Sequence, residues 1–305
     1  MASKKIVCVC PNPAVDTFAF IDEMKSGSLN RITAEKHFAG GKGIHVALAS
    51  EELGEEAIVL GIWAGATGNW LKAECEKFGV KCFGIEVNGW NRINYTFQSR
   101  GEWNETEFIG PGPRISAEES ERFLQEFKRQ LPDAGAIVLS GSWPVGAPED
   151  AYGDMIDEAK KISIPVWIDC SGKLLEQSIQ HKPFGIHLNR NEMKDIVPKG
   201  FESSPQEYLL HFVEQVGLTA GKEGLYLGTS RKKIHASCEL EKIFSAVGSG
   251  DCLTAGLAVA HVRNYSFEQT AVFAVACGSA NCLTEDLGMF NRKDVEALLS
   301  KVILK

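Results

Sequence analysis

Five short apolar runs, KIVCVC, AIVLGIW, AIVLS, VWID and FGIHLN, recur along the chain, and the segments between them carry apolar residues at helical period. Those segments include GIHVALASEELG, TGNWLKAECEKFG, SAEESERFLQEFKRQL and EDAYGDMIDEAKK. This alternation constrains the fold more than any other feature. Strands that are apolar along their whole length are buried on both faces, and a helix between successive strands lets them lie parallel. The chain is therefore expected to be α/β, with a mostly parallel sheet covered by helices on both faces.

Two stretches, 12–35 and 86–111, break the rhythm with alternating polar and apolar residues. The second contains NRINYTFQSRGEWNETEFI, which reads as strand, glycine turn at Gly101, strand. A lone hairpin buries no face of its own, so the two stretches are expected to pair into one small sheet that acts as a lid. The expected organisation is one α/β domain, 1–11, 36–85 and 112–305, with a discontinuous β lid from 12–35 and 86–111.

At 305 residues, 44% of them apolar, the chain is long enough to bury a core of this kind. Its 32 Lys and Arg against 40 Asp and Glu leave a net charge of −8, and no basic block is long enough to track a phosphodiester backbone. No nucleic-acid partner is expected. The N-terminus, MASKKIVCVCPNPAVD, has an apolar run cut short by Pro11 and Pro13, so neither a signal peptide nor a membrane span is expected, and the expected location is the cytoplasm. Nine cysteines without CxxC pairs read as reduced thiols, mostly packed in the core, and seven scattered histidines give no zinc-ligand spacing. Cys252 reads as a packing residue rather than a nucleophile, because the sequence shows no activating base beside it.

Ligands of open parallel sheets bind beyond the carboxyl ends of the strands. There the sequence gathers polar residues: Asn12 and Asp16, then Gly141 and Ser142, then Asp169, Cys170, Ser171 and Gly172, and last Asn189 and Glu192. Two glycine clusters also lead into apolar helices. In AVGSGDCLTAGLAVA, residues 246–260, Asp251 stands in the first turn, where a short acidic side chain can simply cap the helix. In AGGKGIHVALA, residues 39–49, a glycine turn offers backbone N–H groups and Lys42 to an anion. Neither cluster completes G-x-x-x-x-G-K-S/T or G-x-G-x-x-G.

Taken in order, NPAVD, the pair Asn30 and Arg31, GGKG, NRIN, TEFIGPGP, SGSWPVG, IDCSG, NRNE and VGSGD resemble the PfkB, or ribokinase-like, carbohydrate kinases. The likeness is to the phosphosugar branch, which includes 1-phosphofructokinase and tagatose-6-phosphate kinase, and it covers essentially the whole chain. It implies a doubly wound sheet with a β lid, ATP and Mg2+, and transfer of the γ-phosphoryl group to a hydroxyl of a sugar phosphate such as fructose 1-phosphate or tagatose 6-phosphate. By the same resemblance the catalytic base is Asp251 and the anion hole is the backbone of Gly248, Ser249 and Gly250. Mg2+ would be held through water by Asn189 and Glu192, whose spacing is also that of a helix capping box. ATP would lie across Thr219, Gly221 and Gly224, with Asn281 either facing the purine or simply exposed.

The sugar end of the resemblance falls on Asp16, Gly40, Gly41, Lys42 and Arg92, with Arg31 added from a lid strand. His45 replaces a frequent asparagine that touches sugar, Trp143 a frequent leucine and His187 a frequent lysine. Lys42, Arg92 and Arg31 would gather three cations, which argues for a substrate that already carries phosphate. Two other readings stay open: a kinase of an unphosphorylated sugar or nucleoside, and a non-catalytic sugar sensor. A homodimer formed through the lid is a further expectation.

Overall fold

The computed structural model describes residues 4–100, 105–201, 203–285 and 288–305. Its first half runs β1 (Lys5–Cys10), β2 (Ala14–Glu23), β3 (Ala34–Gly40), α1 (Lys42–Glu52), β4 (Ala57–Ala64), α2 (Gly65–Lys77), β5 (Lys81–Val87), β6 (Arg92–Arg100) and β7 (Thr106–Phe108). Then follow α3 (Ala117–Gln130), β8 (Ala134–Ser140), α4 (Gly153–Lys161), β9 (Val166–Asp169), α5 (Gly172–Ser178), β10 (Gly185–Asn189), α6 (Arg190–Ile196) and α7 (Pro205–Leu209). The chain ends with β11 (Gln215–Thr219), β12 (Leu225–Thr229), β13 (Lys233–Ser237), α8 (Ser249–Val262), α9 (Phe267–Asn281), α10 (Arg292–Leu298) and β14 (Ile303–Leu304).

β1 shows why the apolar runs become central strands. Ile6, Cys8 and Cys10 enter the core on one face of the sheet, while Val7 and Val9 enter it on the other. Alternate side chains of a strand point to opposite faces, so a strand covered twice must be apolar throughout. On the first face Ile44 of α1, Leu71 of α2, Leu257 of α8 and Ala274 of α9 complete the core. Phe123 of α3, Met155 of α4 and Leu175 of α5 cover the second.

The large sheet has the order β14-β13-β12-β11-β10-β9-β8-β1-β4-β5. From β5 across to β11 all neighbours are parallel, and β12, β13 and β14 finish one edge antiparallel. The chain lays β4 and β5 on one side of β1 and the later strands on the other, so the winding reverses at β1. A crevice at the carboxyl ends of the strands belongs there.

A second, four-stranded sheet has the order β3-β2-β6-β7. β2 and β6 run parallel from Ala14↔Arg92 to Phe20↔Gln98, and β3 lies antiparallel to β2 from Ala14↔Gly40. This sheet takes residues up to Gly40, five beyond the expected boundary, because β3 continues straight into the turn before α1. Arg31 is exposed in the connection between β2 and β3, not on a strand, and the turn expected at Gly101 falls outside the described residues. Asn91, buried just before β6, accepts from Ala64 N–H at 2.7 Å and donates to the Ile62 carbonyl at 2.8 Å, which ties β6 to the end of β4.

All nine cysteines are free. Burial pushes the Cys252 thiol well above its usual range, as expected of a packing residue. Among the described residues no helix is long and apolar enough to cross a membrane.

Candidate active site

The VGSGD turn places Asp251 at the switch point. Gly248 adopts the left-handed conformation, φ 83°, and a Cβ there would overlap the backbone of Gly288, so only glycine lets the chain turn so tightly into α8. The helix has no side-chain cap. Ser249 N–H bonds to the Ala246 carbonyl at 3.2 Å and Cys252 N–H to that of Gly248 at 3.0 Å. That leaves the amides of Gly250 and Asp251 without a partner among the described residues, as the first turn of a helix leaves its donors. Of the three expected anion-hole residues, Ser249 therefore does not offer its amide. The Asp251 carboxylate does not turn back to cap the helix: its Oδ2 accepts from His45 Nδ1 at 2.7 Å.

The GGKG turn is built differently from the expected anion cradle. A Cβ at Gly40 would overlap the Asp16 carboxylate, so this glycine lets Asp16 lie against the backbone. Gly41, φ 103°, precedes α1 as its cap residue. The amides of Ile44 and Gly43 face the Cys10 thiol. Lys42 Nζ lies 2.6 Å from Asp169 Oδ1 and 3.4 Å from Glu192 Oε1. Its charge is thus matched by carboxylates of this chain, and it does not stand with Arg92 as an open cation; tertiary pairing across 127 residues decides the matter.

Asp169, wholly buried at the end of β9, gathers more partners than any residue nearby. Besides Lys42 it accepts from His187 Nδ1 at 3.0 Å and Thr254 Oγ1 at 2.9 Å, and His187 Nε2 continues to Thr219 Oγ1 at 3.2 Å. Burial pushes this carboxyl up, but Lys42 and His187 outweigh it and hold the group well below the usual carboxylate range. Thr219 and His187 therefore belong to a buried network. Asn189 Oδ1 accepts from the amides of Asn191 and Glu192, and Glu192 Oε2 accepts from Asn189 N–H, which completes the capping box of α6.

Asp16, on β2, receives Asn94 Nδ2 at 2.8 Å. Burial pushes its carboxyl up, and the neighbouring His45, Asn94 and Arg92 offset only part of that push. Arg92 donates from Nε to the Asn12 carbonyl at 3.0 Å, while its two terminal nitrogens have no partner among the described residues. Arg92 is thus the open cation beside Asp16. Asn94 was not singled out from sequence, yet it stands two residues beyond Arg92 on the same face of β6, a signal that strand periodicity contains.

One expectation about a neighbour fails. Asn281 is neither exposed nor open to a ligand: it is 1% exposed, and its Nδ2 donates to the Val247 carbonyl at 2.9 Å, bracing the turn before α8. Trp143 stacks edge-on with Phe123 and Tyr152, against the core on the second face of the sheet, so its ring does not shape the crevice. Gly221, φ 55°, faces open space, whereas a Cβ at Gly224, φ 91°, would overlap the Ala236 carbonyl.

A doubly wound sheet with a carboxylate and open amides at its switch point is the arrangement of a small-molecule kinase, whose chemistry needs little beyond positioning and charge stabilisation. The sequence model described as pfkB family carbohydrate kinase matches residues 11–292. The chain belongs to that family, and it is a phosphotransferase with an alcohol group as acceptor. It is 29% identical over 303 residues to the 1-phosphofructokinase of Bacillus subtilis (strain 168), covering 97% of this chain and 98% of that one. To the tagatose-6-phosphate kinase of Staphylococcus epidermidis (strain ATCC 12228 / FDA PCI 1200) it is 26% identical over 306 residues, with the same coverage. The structure of Arabidopsis thaliana ribokinase, solved with ribose and ATP, superposes with a TM-score of 0.80 at 23% identity, covering 98% of this chain and 99% of that one, which shows a common fold.

Proposed function

We propose that the chain transfers the γ-phosphoryl group of ATP to a hydroxyl of a sugar phosphate of the fructose 1-phosphate or tagatose 6-phosphate type. The observation that carries the reading is the Asp251 carboxylate in a helix turn whose Gly250 and Asp251 amides are open. Asp251 accepts the proton of the acceptor hydroxyl. The hydroxyl oxygen then bonds to the γ-phosphorus as the bond to the ADP oxygen breaks, and the two amides hold the transferring oxygens. Asp16, kept in place by Asn94, binds sugar hydroxyls. The terminal nitrogens of Arg92 take the phosphate already on the sugar, as a guanidinium fork suits it.

Gly221, with open space before it, and Gly224 line the nucleotide's side of the crevice, while Thr219 positions His187. Asn189 and Glu192 suit a divalent cation only through water: Asn189 Oδ1 already accepts two amides of the capping box, while the Glu192 oxygens, bonded once each to Asn189 N–H and Lys42, keep lone pairs for a hydrated ion. Mg2+, which sheds its water reluctantly, fits such a pair and would neutralise charge on the phosphates. Two copies of the chain would meet on the outer side of the small sheet, where Phe108 and Ile109 are exposed.

A kinase of a neutral sugar is the second reading, favoured by the ion pairs that neutralise Lys42. ADP release measured across a panel of sugars and phosphosugars separates the two. A phosphosugar should have the highest kcat/KM; an unphosphorylated hexose used as efficiently would overturn the first reading.

A further inference from the structure

His45 touches the centre of this site, and nothing in the reaction as derived so far uses it. It sits on α1, 4% exposed. Its Nδ1 lies 2.7 Å from Asp251 Oδ2, and because an ionised carboxylate only accepts, Nδ1 is the nitrogen that carries a proton there. The other nitrogen, Nε2, is buried with no hydrogen-bond partner and stands 3.9 Å from Asp16 Oδ2. A Cβ at Gly288 would overlap the imidazole, so the ring is pressed into place from behind.

The charged groups that face His45 are Asp251 from α8 and Asp16 from β2. Arg92 of β6 lies beyond Asp16, and Lys42 on the same helix turns to Asp169 and Glu192. An unprotonated Nε2 would aim a lone pair at a carboxylate; a protonated one offers a donor between two. Burial resists charge on the ring, but the bond to Asp251 and the charges of Asp251 and Asp16 outweigh it and hold the His45 pKa above the usual histidine range. A buried donor without an acceptor is costly to a fold that gains nothing from it.

We propose that His45 is a two-ended donor: Nδ1–H positions the Asp251 carboxylate for the acceptor hydroxyl, and Nε2–H is kept for an oxygen of the bound sugar. The inference rests on the phosphotransferase reading of Asp251. It makes His45 a positioning residue at one end and a contact to substrate at the other. The pKa is raised, so the imidazolium is present at low pH and is lost as pH rises through that value. Substrate loses its donor on the alkaline side, while Nδ1–H stays on Asp251.

Imidazole carbon NMR of the labelled full-length chain, without sugar, should show His45 titrating above about 6.5, and its midpoint should move down in Asp251→Asn, which removes the facing charge. A midpoint at or below the ordinary value, or one that Asp251→Asn leaves in place, overturns the pairing whichever sugar is the substrate. In steady-state assays with fructose 1-phosphate and tagatose 6-phosphate, the wild-type kcat/KM should fall on the alkaline side, and His45→Asn should lose that limb. At neutral pH His45→Ala, which keeps neither donor, should lose about tenfold in kcat/KM for the sugar, with KM for ATP changed less than about twofold. The unchanged ATP term reports that the variant is folded. A His45→Asn profile that parallels wild type at every pH overturns the proposal. If neither phosphosugar is turned over, the substrate reading fails, the NMR titration still decides the pairing, and the profile is read with the sugar that the panel identifies.

Discussion

Asp251 and Lys42 show how differently two residues of one crevice can be read from sequence. Asp251 could have been a cap; its bond to His45 places it in the crevice instead. Asp251→Asn should bind ATP and unfold like the wild type, with kcat lowered about 10²- to 10⁴-fold, the worth of a positioned general base. Steady-state kinetics beside a urea titration check both halves, and an unchanged kcat would return the residue to a capping role. Lys42 looked like an open cation because Asp169 and Glu192 are distant in sequence and only the winding of the sheet brings them near. Asn281 was misread for the same reason, since no local pattern reveals the Val247 carbonyl it meets.

The pairing of Lys42 with Asp169 bears on stability as well as on binding. Asp169 has a folded pKa below its unfolded one, so it contributes stability that is present above about pH 4 and is lost as pH falls through the folded value. Lys42→Ala leaves that buried carboxylate without its nearest cation. Because Lys42 is itself a third exposed, the expected loss is about 2–3 kcal/mol at pH 7, at the lower end for a broken buried pair, and acid unfolding should begin at a higher pH. Wild-type stability in that variant would release Lys42 for phosphate binding. Arg92→Ala should instead leave stability near wild type and raise KM for a phosphosugar about 10- to 100-fold, the range of a lost charge-assisted bond. Substrate kinetics distinguish the two cations.

The strands of the large sheet that are apolar throughout were legible because burial on both faces writes itself into every residue. β11, β12 and β13 were not singled out: QVGLT, LYLGT and KIHAS are five residues each and interrupt their apolar positions with glycine, threonine or lysine, although β11 and β12 are largely buried. The small sheet was legible as a pairing but not in its limits. Alternation of polar and apolar residues marked β2 and β6, whereas the end of β3 at Gly40 is set by the turn into α1. If this sheet closes on the sugar as one element, backbone amides of β2, β3, β6 and β7 should gain protection together when a phosphosugar is added. Hydrogen exchange followed by mass spectrometry resolves those segments, and protection confined to one strand pair would break the unit apart.

Across the whole molecule, the net charge of −8 repels anions at a distance, so the proposed phosphosugar would depend on the local field of Arg92. The outer side of the small sheet, where Phe108 and Ile109 are exposed, is the place proposed for a second copy to dock. Sedimentation equilibrium at micromolar protein should find a dimer, and Phe108→Glu, at a residue 54% exposed, should weaken it without lowering the melting temperature. A monomer at that concentration would leave the small sheet to act within one chain.

Ala14 pairs with Gly40 on one side and Arg92 on the other, so the residues proposed to meet substrate stand together at one end of the small sheet. Phe20, Ala34, Gln98 and Arg100 lie at its far end. A lever moves least at its pivot: chain can be added to or trimmed from the outer loops, and tags or probes attached there, while the spacing of Asp16, Arg92 and Asp251 stays as it is.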